Sequence, residues 1–219
     1  MTQSSPSPTP AGTTPPLSVQ TAGPGQFIAD PGPLGLAAFA GTTFFLSVVN
    51  TNMLGASAQT VVLGLALFYG GLAQLLAGMW EFVKGNTFGA VAFTSFGAFW
   101  MSFWYLLNHL PKDAKFGDLV HGIGLYLLVW AIFTAYMTVA ATRVSGAVLA
   151  VFALLTLTFI ALAIGWFGYS ETDFAKNGSA WIHIGGWLGL LTALAAWYAS
   201  FAAVTNSTFR RVVLPTFPR

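Results

Sequence analysis

The sequence predicts an all-α integral membrane protein, a polytopic helical bundle with six transmembrane helices. Three observations carry that prediction. Of its 219 residues 56% are hydrophobic and only 6% are charged, where a soluble domain carries about a quarter charged. The mean hydropathy is +0.72. Apolar runs of about 20 residues, long enough to cross the hydrocarbon core as a helix, recur six times with polar or turn-forming punctuation between them.

The elements follow in order. Residues 1–29 hold six of the eleven prolines, with Ser, Thr and Gly and no charged side chain. That composition buries too little apolar surface to offset ordering entropy, so a disordered tail is expected. It has neither the basic n-region nor the apolar h-region of a signal peptide, and is expected to stay on the chain. The spans then run from Leu34 to Val49 and on toward Met53, Ala58 to Phe82, Phe88 to Leu107, Leu119 to Ala141, Val144 to Gly168, and Ala180 to Val204. NTNMLGAS, KGNT, NHLPKDAKFGD, TR and YSETDFAKNGS separate them. The transmembrane domain covers 30–209, and 210–219 reads as a basic cytoplasmic C-terminal tail.

With the N-terminus inside, Lys84, Arg143, Arg210, Arg211 and Arg219 fall on the inner side, and Lys112, Lys115 and Lys176 fall outside beside four acids. This modest positive-inside bias puts both termini in the cytoplasm, with the plasma membrane as the expected location. The first and third spans, PLGLAAFAGTTFF and TFGAVAFTSFGAFW, share an order of Gly, Phe, hydroxyl pair and aromatics that suggests helical hairpins in pseudo-repeat.

Several function classes are excluded. The chain has no cysteine, hence no disulfide, thiolate nucleophile or Cys metal site. Its scattered cations make no nucleic-acid footprint. No Ser-His-Asp set, HExxH or phosphate loop supports an enzyme, and no cofactor is expected. His109, His121 and His183 lie in distant segments without carboxylates at ligand spacing, so no metal site is expected; His183, at a helix start, is a candidate for gating by protonation.

Small residues let membrane helices approach closely. Gly64, Gly71 and Gly78, seven apart, are expected on one packing face of the second span, and Gly185 and Gly189 form a small-xxx-small pair in the sixth. Ionisable groups in a span cost on the order of 3 kcal/mol at mid-bilayer, and Glu81 is the only carboxylate within a span. Gln74 shares its face, and Lys84 is three residues on, within ion-pair reach. Glu81 is therefore either an interfacial salt-bridge partner or a transport group. Thr42, Thr43, Thr87, Thr94, Ser95, Thr156 and Thr158 can each bond their own backbone; as a set, with Gln74 and Glu81, they could line a path for a small polar solute.

DPGPLGL, AFAGTTFFL, LFYGGLAQLLAGMWEFVKGNTFGAVAFTSFGAFW, HGIGLYLLVWAIFT and FRRVVLP together resemble the acetate uptake transporter family, the succinate-acetate permeases, from about Asp30 to Pro215. The resemblance implies six helices per protomer, a homo-hexamer with one path through each protomer, and transport of acetate, with succinate or propionate as further substrates, often with protons. The family motif at the first helix reads Asn-Pro-Ala-Pro-Leu-Gly-Leu. This chain matches it at Pro31, Pro33, Leu34, Gly35 and Leu36 and departs at Asp30 and Gly32. The family's apolar constriction falls on Phe39, Phe96 and Leu155, with Phe96 replacing a tyrosine. Three apolar side chains in a narrow path gate by dewetting and penalise a hydrated anion.

DPGPLGL reads as a helix start: Pro suits the first turn and Asp caps free amides, whose dipole end attracts carboxylates. An ionised Asp30 is expected to occupy those amides, repel the substrate and lower acetate affinity at neutral pH. Two other readings stand beside acetate transport: a channel for a small neutral solute such as urea or a short amide, and a membrane sensor whose Pro-rich tail docks a partner as polyproline II. Yeast members have been linked to ammonium export, so the fold leaves the solute open.

Overall fold

In a computed structural model of the chain, the described residues are 28–111, 113–175 and 179–219. Most of the expected disordered tail, 1–27, and the loop cations Lys112 and Lys176 lie outside them. Six long helices form the bundle: α1 Gly32–Asn50, α2 Gln59–Lys84, α3 Thr87–Asn108, α4 Phe116–Ala141, α5 Gly146–Phe167 and α6 Ala180–Phe209. The shortest has 19 residues, about 28 Å at 1.5 Å per residue, close to the thickness of the bilayer core. Short helices at Ala56–Ala58 and Glu171–Ala175 lie in the connections. The protein is thus a multi-pass helical membrane protein, and among the described residues the only β pairing is one bridge between Ser145 and Pro218.

Local chemistry sets the ends. Asn86 Oδ1 accepts from the Gly89 amide at the start of α3 (3.2 Å), Ser145 Oγ does the same for Val148 in α5 (3.2 Å), and Ser179 for Ile182 in α6 (3.4 Å). Each is an N-cap that satisfies an amide the helix leaves free. Gly85 ends α2 at φ +80°, a left-handed conformation that glycine adopts without a Cβ penalty. Helix α6 continues past Val204 through a polar turn to Phe209, because hydropathy marks where lipid ends and not where backbone bonding ends.

Helix α2 departs from the expected pattern. Its middle, Leu65–Ala73, is π-helical, with i→i+5 bonding that widens the turn. The phase of the glycine repeat shifts across it: Gly71 and Gly78 are buried, but Gly64 is exposed and a Cβ there would meet nothing within 4 Å. Gly70 takes the packing role, since its Cβ would lie 2.8 Å from Thr42 Cβ and 2.9 Å from Trp100 Cδ1.

The helices pack as a ring. Helix α3 lies on α2, α2 on α1, α1 on α6, α6 on α5 and α5 on α4, while α3 and α4 meet along a thin seam. Aromatic rings close that seam, Phe99 against Tyr126 (5.7 Å) and Phe96 against Trp130 (5.9 Å), with a hydrogen bond between Tyr126 and Ser102 (2.7 Å).

Residues 210–219, with three of the chain's four arginines, are tied to the bundle. The Asn206 side chain accepts from the amides of Val213 (2.7 Å) and Leu214 (3.0 Å) and donates to the Leu214 carbonyl (2.8 Å). Gly146 and Ala147, whose amides are free at the start of α5, donate to the Phe217 and Thr216 carbonyls (2.8 and 3.3 Å). The segment is a strap across one end of the bundle.

Candidate transport path

Helices α1, α3 and α5 start at the same end of the bundle, and Phe39, Phe96 and Leu155 stand seven, nine and nine residues into them. At 1.5 Å per residue all three lie about 10–14 Å from that end. They are 4%, 3% and 3% exposed. The rings of Phe39 and Phe96 are 5.6 Å apart. Phe152 and Phe159, which share a face of α5 with Leu155, lie 6.0 and 6.4 Å from Phe96. The structure therefore brings the three sequence-predicted residues to one level, inside a larger aromatic plug. Phe152, Phe159, Trp130 and Phe133 in that plug were missed. Their signal was available in the i, i+3, i+7 spacing of 152, 155 and 159, but in a chain with 20 phenylalanines such spacing does not single out a gate.

On the far side of the plug a cavity of about 470 Å³ has Phe39 and Leu155 among its lining. Thr43, Ser47 and Thr158 put hydroxyl-bearing residues on its wall, and Asn50, Asn52, Gln59 and Tyr169 line its outer part. Burial, and secondarily the Asp173 charge, push the Tyr169 phenol above its ordinary value, so it stays neutral there.

The hydroxyl set divides. Thr42 donates to its own helix at Ala38 (3.0 Å), and Thr156 to Phe152 (2.8 Å) while meeting Thr138 across α4 (2.9 Å); these are packing groups. Thr158 donates to Leu154 (2.8 Å) beside Thr192 (3.3 Å). Thr43 Oγ1, Thr94 Oγ1, Gln74 Oε1 and Trp100 Nε1 are buried without a hydrogen-bond partner. Ser95 is half-buried and Thr87 is exposed.

The end of the bundle where α1, α3 and α5 start is polar. Asp30, one residue before the Pro31 N-cap of α1, accepts from the Gly32 amide (3.0 Å) and from Lys84 Nζ (2.7 Å). Glu81, 1% exposed, accepts from Asn86 Nδ2 (2.9 Å) and lies 4.0 Å from Lys84. The first turn of α1 is also tied to α6, since Ser200 Oγ donates to the Pro33 carbonyl (2.7 Å). Leu34 is exposed, Gly35 buried and Leu36 half-buried, and Gly35 lets α1 pack directly on the Phe93 ring of α3. Among the described residues no group of three His, Cys, Asp or Glu side chains could hold a metal.

Residues 12–219 match the GPR1/FUN34/yaaH family. The chain belongs to this family. Among its members, Acetate permease A of Emericella nidulans is 39% identical over 196 residues, covering 85% of this chain and 65% of that protein. The succinate-acetate/proton symporter SatP of Escherichia coli is 38% identical over 192 residues, covering 86% and 95%. A solved structure of the bacterial acetate channel SatP superposes with a TM-score of 0.75 at 35% identity, covering 86% of this chain and 99% of that one. The chain spans about two thirds of the length of the fungal relatives it matches. The GPR1/FUN34/yaaH match covers all six helices.

Proposed function

We propose that the chain carries acetate, and with it short carboxylates such as propionate or succinate, across the plasma membrane together with protons, and that it is a transporter or channel without enzymatic chemistry or a cofactor. The observation that carries this reading is the sequence of environments along one path: a polar mouth at Asp30, Glu81 and Lys84, an apolar plug at Phe39, Phe96 and Leu155, and a cavity with hydroxyls beyond it. A short amphipathic acid suits that sequence, because its methyl group fits the plug and its carboxyl group finds polar partners at either side. The names of the relatives support the substrate and the proton. A homo-hexamer with one path per protomer and both termini in the cytoplasm complete the proposal, with the exposed apolar faces of α2, α4 and α6 turned to lipid and to neighbouring copies.

The deciding experiment is uptake of labelled acetate into proteoliposomes with and without an imposed pH gradient. Accumulation above equilibrium with the gradient establishes coupling, equilibration alone establishes a channel, and no protein-dependent uptake refutes the reading. A neutral-solute channel is the second reading, favoured by a plug without any charged side chain; competition of acetate uptake by urea but not by propionate selects it.

A further inference from the structure

Asp30 and Gly32 act on the same atoms. Asp30 Oδ1 holds the Gly32 amide at 3.0 Å and Lys84 Nζ at 2.7 Å. A Cβ on residue 32 would lie 3.1 Å from that oxygen and 3.4 Å from Glu81 Oε1. Gly32 therefore keeps open the narrow space in which two carboxylates, one from each side, flank the start of α1. An alanine there crowds the Asp30 oxygen at a distance few real Cβ contacts show, and the half-exposed Asp30 side chain is the member free to give way. The two positions at which the chain leaves the quoted motif are thus one device.

The partners Asp30 uses are those a free carboxylate would use: a backbone amide at a helix start and an ammonium group. Lys84 is the only cation with an ion pair to Asp30 or Glu81 among the described residues, and Glu81 is already engaged by Asn86. We propose that Asp30 is a tethered competitor of the transported acid, seated on Lys84 and the Gly32 amide by the space that Gly32 leaves, and that it sets the affinity at this mouth. Lys84 is then the specificity-determining partner that the substrate carboxylate gains when Asp30 swings away. This replaces simple repulsion by Asp30: with Lys84 against it, its charge is offset, and the cost to the substrate is displacement. The inference rests on the carboxylate-transport reading above.

The test uses the full chain in liposomes and two readouts. Initial rates of acetate uptake give KM, and the reactivity of the Lys84 amine toward a water-soluble N-hydroxysuccinimide ester, mapped by peptide mass spectrometry in acetate or in chloride at equal ionic strength, reports the site without transport. Asp30→Asn should lower KM about two- to fivefold, the range a half-exposed ion pair commands. Gly32→Ala should move KM the same way with Asp30 present and leave it unchanged in the Asn background. In chloride Lys84 should react severalfold faster in Asp30→Asn than in the wild type, and acetate should protect it in the variant but not in the wild type. Equal Lys84 reactivity in both proteins, or no protection by acetate in Asp30→Asn, overturns the proposal. Loss of acetate uptake in every protein, wild type included, refutes the transport reading, while Lys84 protection still decides the competition.

Discussion

Phe39→Ala opens the plug from the α1 side. A buried Phe→Ala change costs about 3–5 kcal/mol in a soluble core, but helix association in lipid draws little from hydrophobic transfer. The Phe39 ring already borders the cavity of about 470 Å³, so the main loss is its ring pair with Phe96 at 5.6 Å, about 0.5–1.5 kcal/mol. The variant should fold. Its effect on selectivity follows from size: one methylene in a tight apolar pocket is worth roughly 1–3 kcal/mol, and butyrate is acetate with two methylenes added. Removing the ring frees room for at least one, so the butyrate-to-acetate ratio of kcat/KM should rise about tenfold, or roughly 1.4 kcal/mol. Leu155→Ala should act in the same direction and less. The assay is uptake of both labelled acids into proteoliposomes at matched incorporation, with gel filtration as a check on fold. Unchanged selectivity in both variants assigns these residues to helix packing and refutes a gate at this level.

Three further outcomes follow from the same geometry. Because the chain lacks cysteine, single-cysteine labelling is clean: Lys115→Cys should react with an impermeant maleimide from outside and Arg143→Cys should not, and the reverse pattern overturns the orientation. Glu81→Gln keeps an acceptor for Asn86 and should preserve yield while moving the pH profile of uptake; an unmoved profile leaves Glu81 as a structural partner of Asn86 and Lys84. Ser200→Ala removes the bond to the Pro33 carbonyl, and should lower stability by about 0.5–1.5 kcal/mol, read as a lower Tm in detergent; an unchanged Tm means the bond does not hold α1 to α6.

The bundle was legible because hydropathy is a property of segments. Six spans and their approximate limits need no knowledge of neighbours. The ring order did not show, since it depends on which faces meet, and nearly uniform apolar helices carry little facial signal. The π-helical stretch of α2 was equally hidden: it moves Gly64 out of the packing face while leaving its seven-residue spacing intact on paper. At the site, Phe39, Phe96 and Leu155 came from family resemblance, and the structure places them at one depth. The pairing of Asp30 with Lys84, 54 positions apart, had no sequence signature, whereas Glu81 with Lys84 looked like the natural pair from spacing alone and is the longer contact at 4.0 Å.

The plug also bears on which protonation state of the acid crosses. Phe96 is met by five rings, those of Phe39, Trp130, Phe133, Phe152 and Phe159, and the phenolic hydroxyl that the family resemblance puts at this position is absent. An anion must leave its hydration shell at such a point, and burying an unpaired charge costs far more than burying a neutral, hydrogen-bonding group. A simple carboxylic acid with a pKa near that of Glu, about 4.3, is neutral in roughly one molecule in 500 at pH 7 and about one in six at pH 5. If the neutral acid is what passes Phe96, protein-dependent uptake at a fixed, low total acetate concentration should rise about 80-fold from pH 7 to pH 5, after subtraction of protein-free vesicles. Passage of the anion predicts a slight fall over the same range, because its fraction drops from nearly all to about five in six. Phe96→Tyr restores a hydrogen-bonding group within the aromatic plug and should flatten the pH dependence by admitting some anion. A slope identical in wild type and Phe96→Tyr would mean that residue 96 does not set the barrier, and that the proton is taken up elsewhere, with Glu81 the buried carboxylate able to hold it.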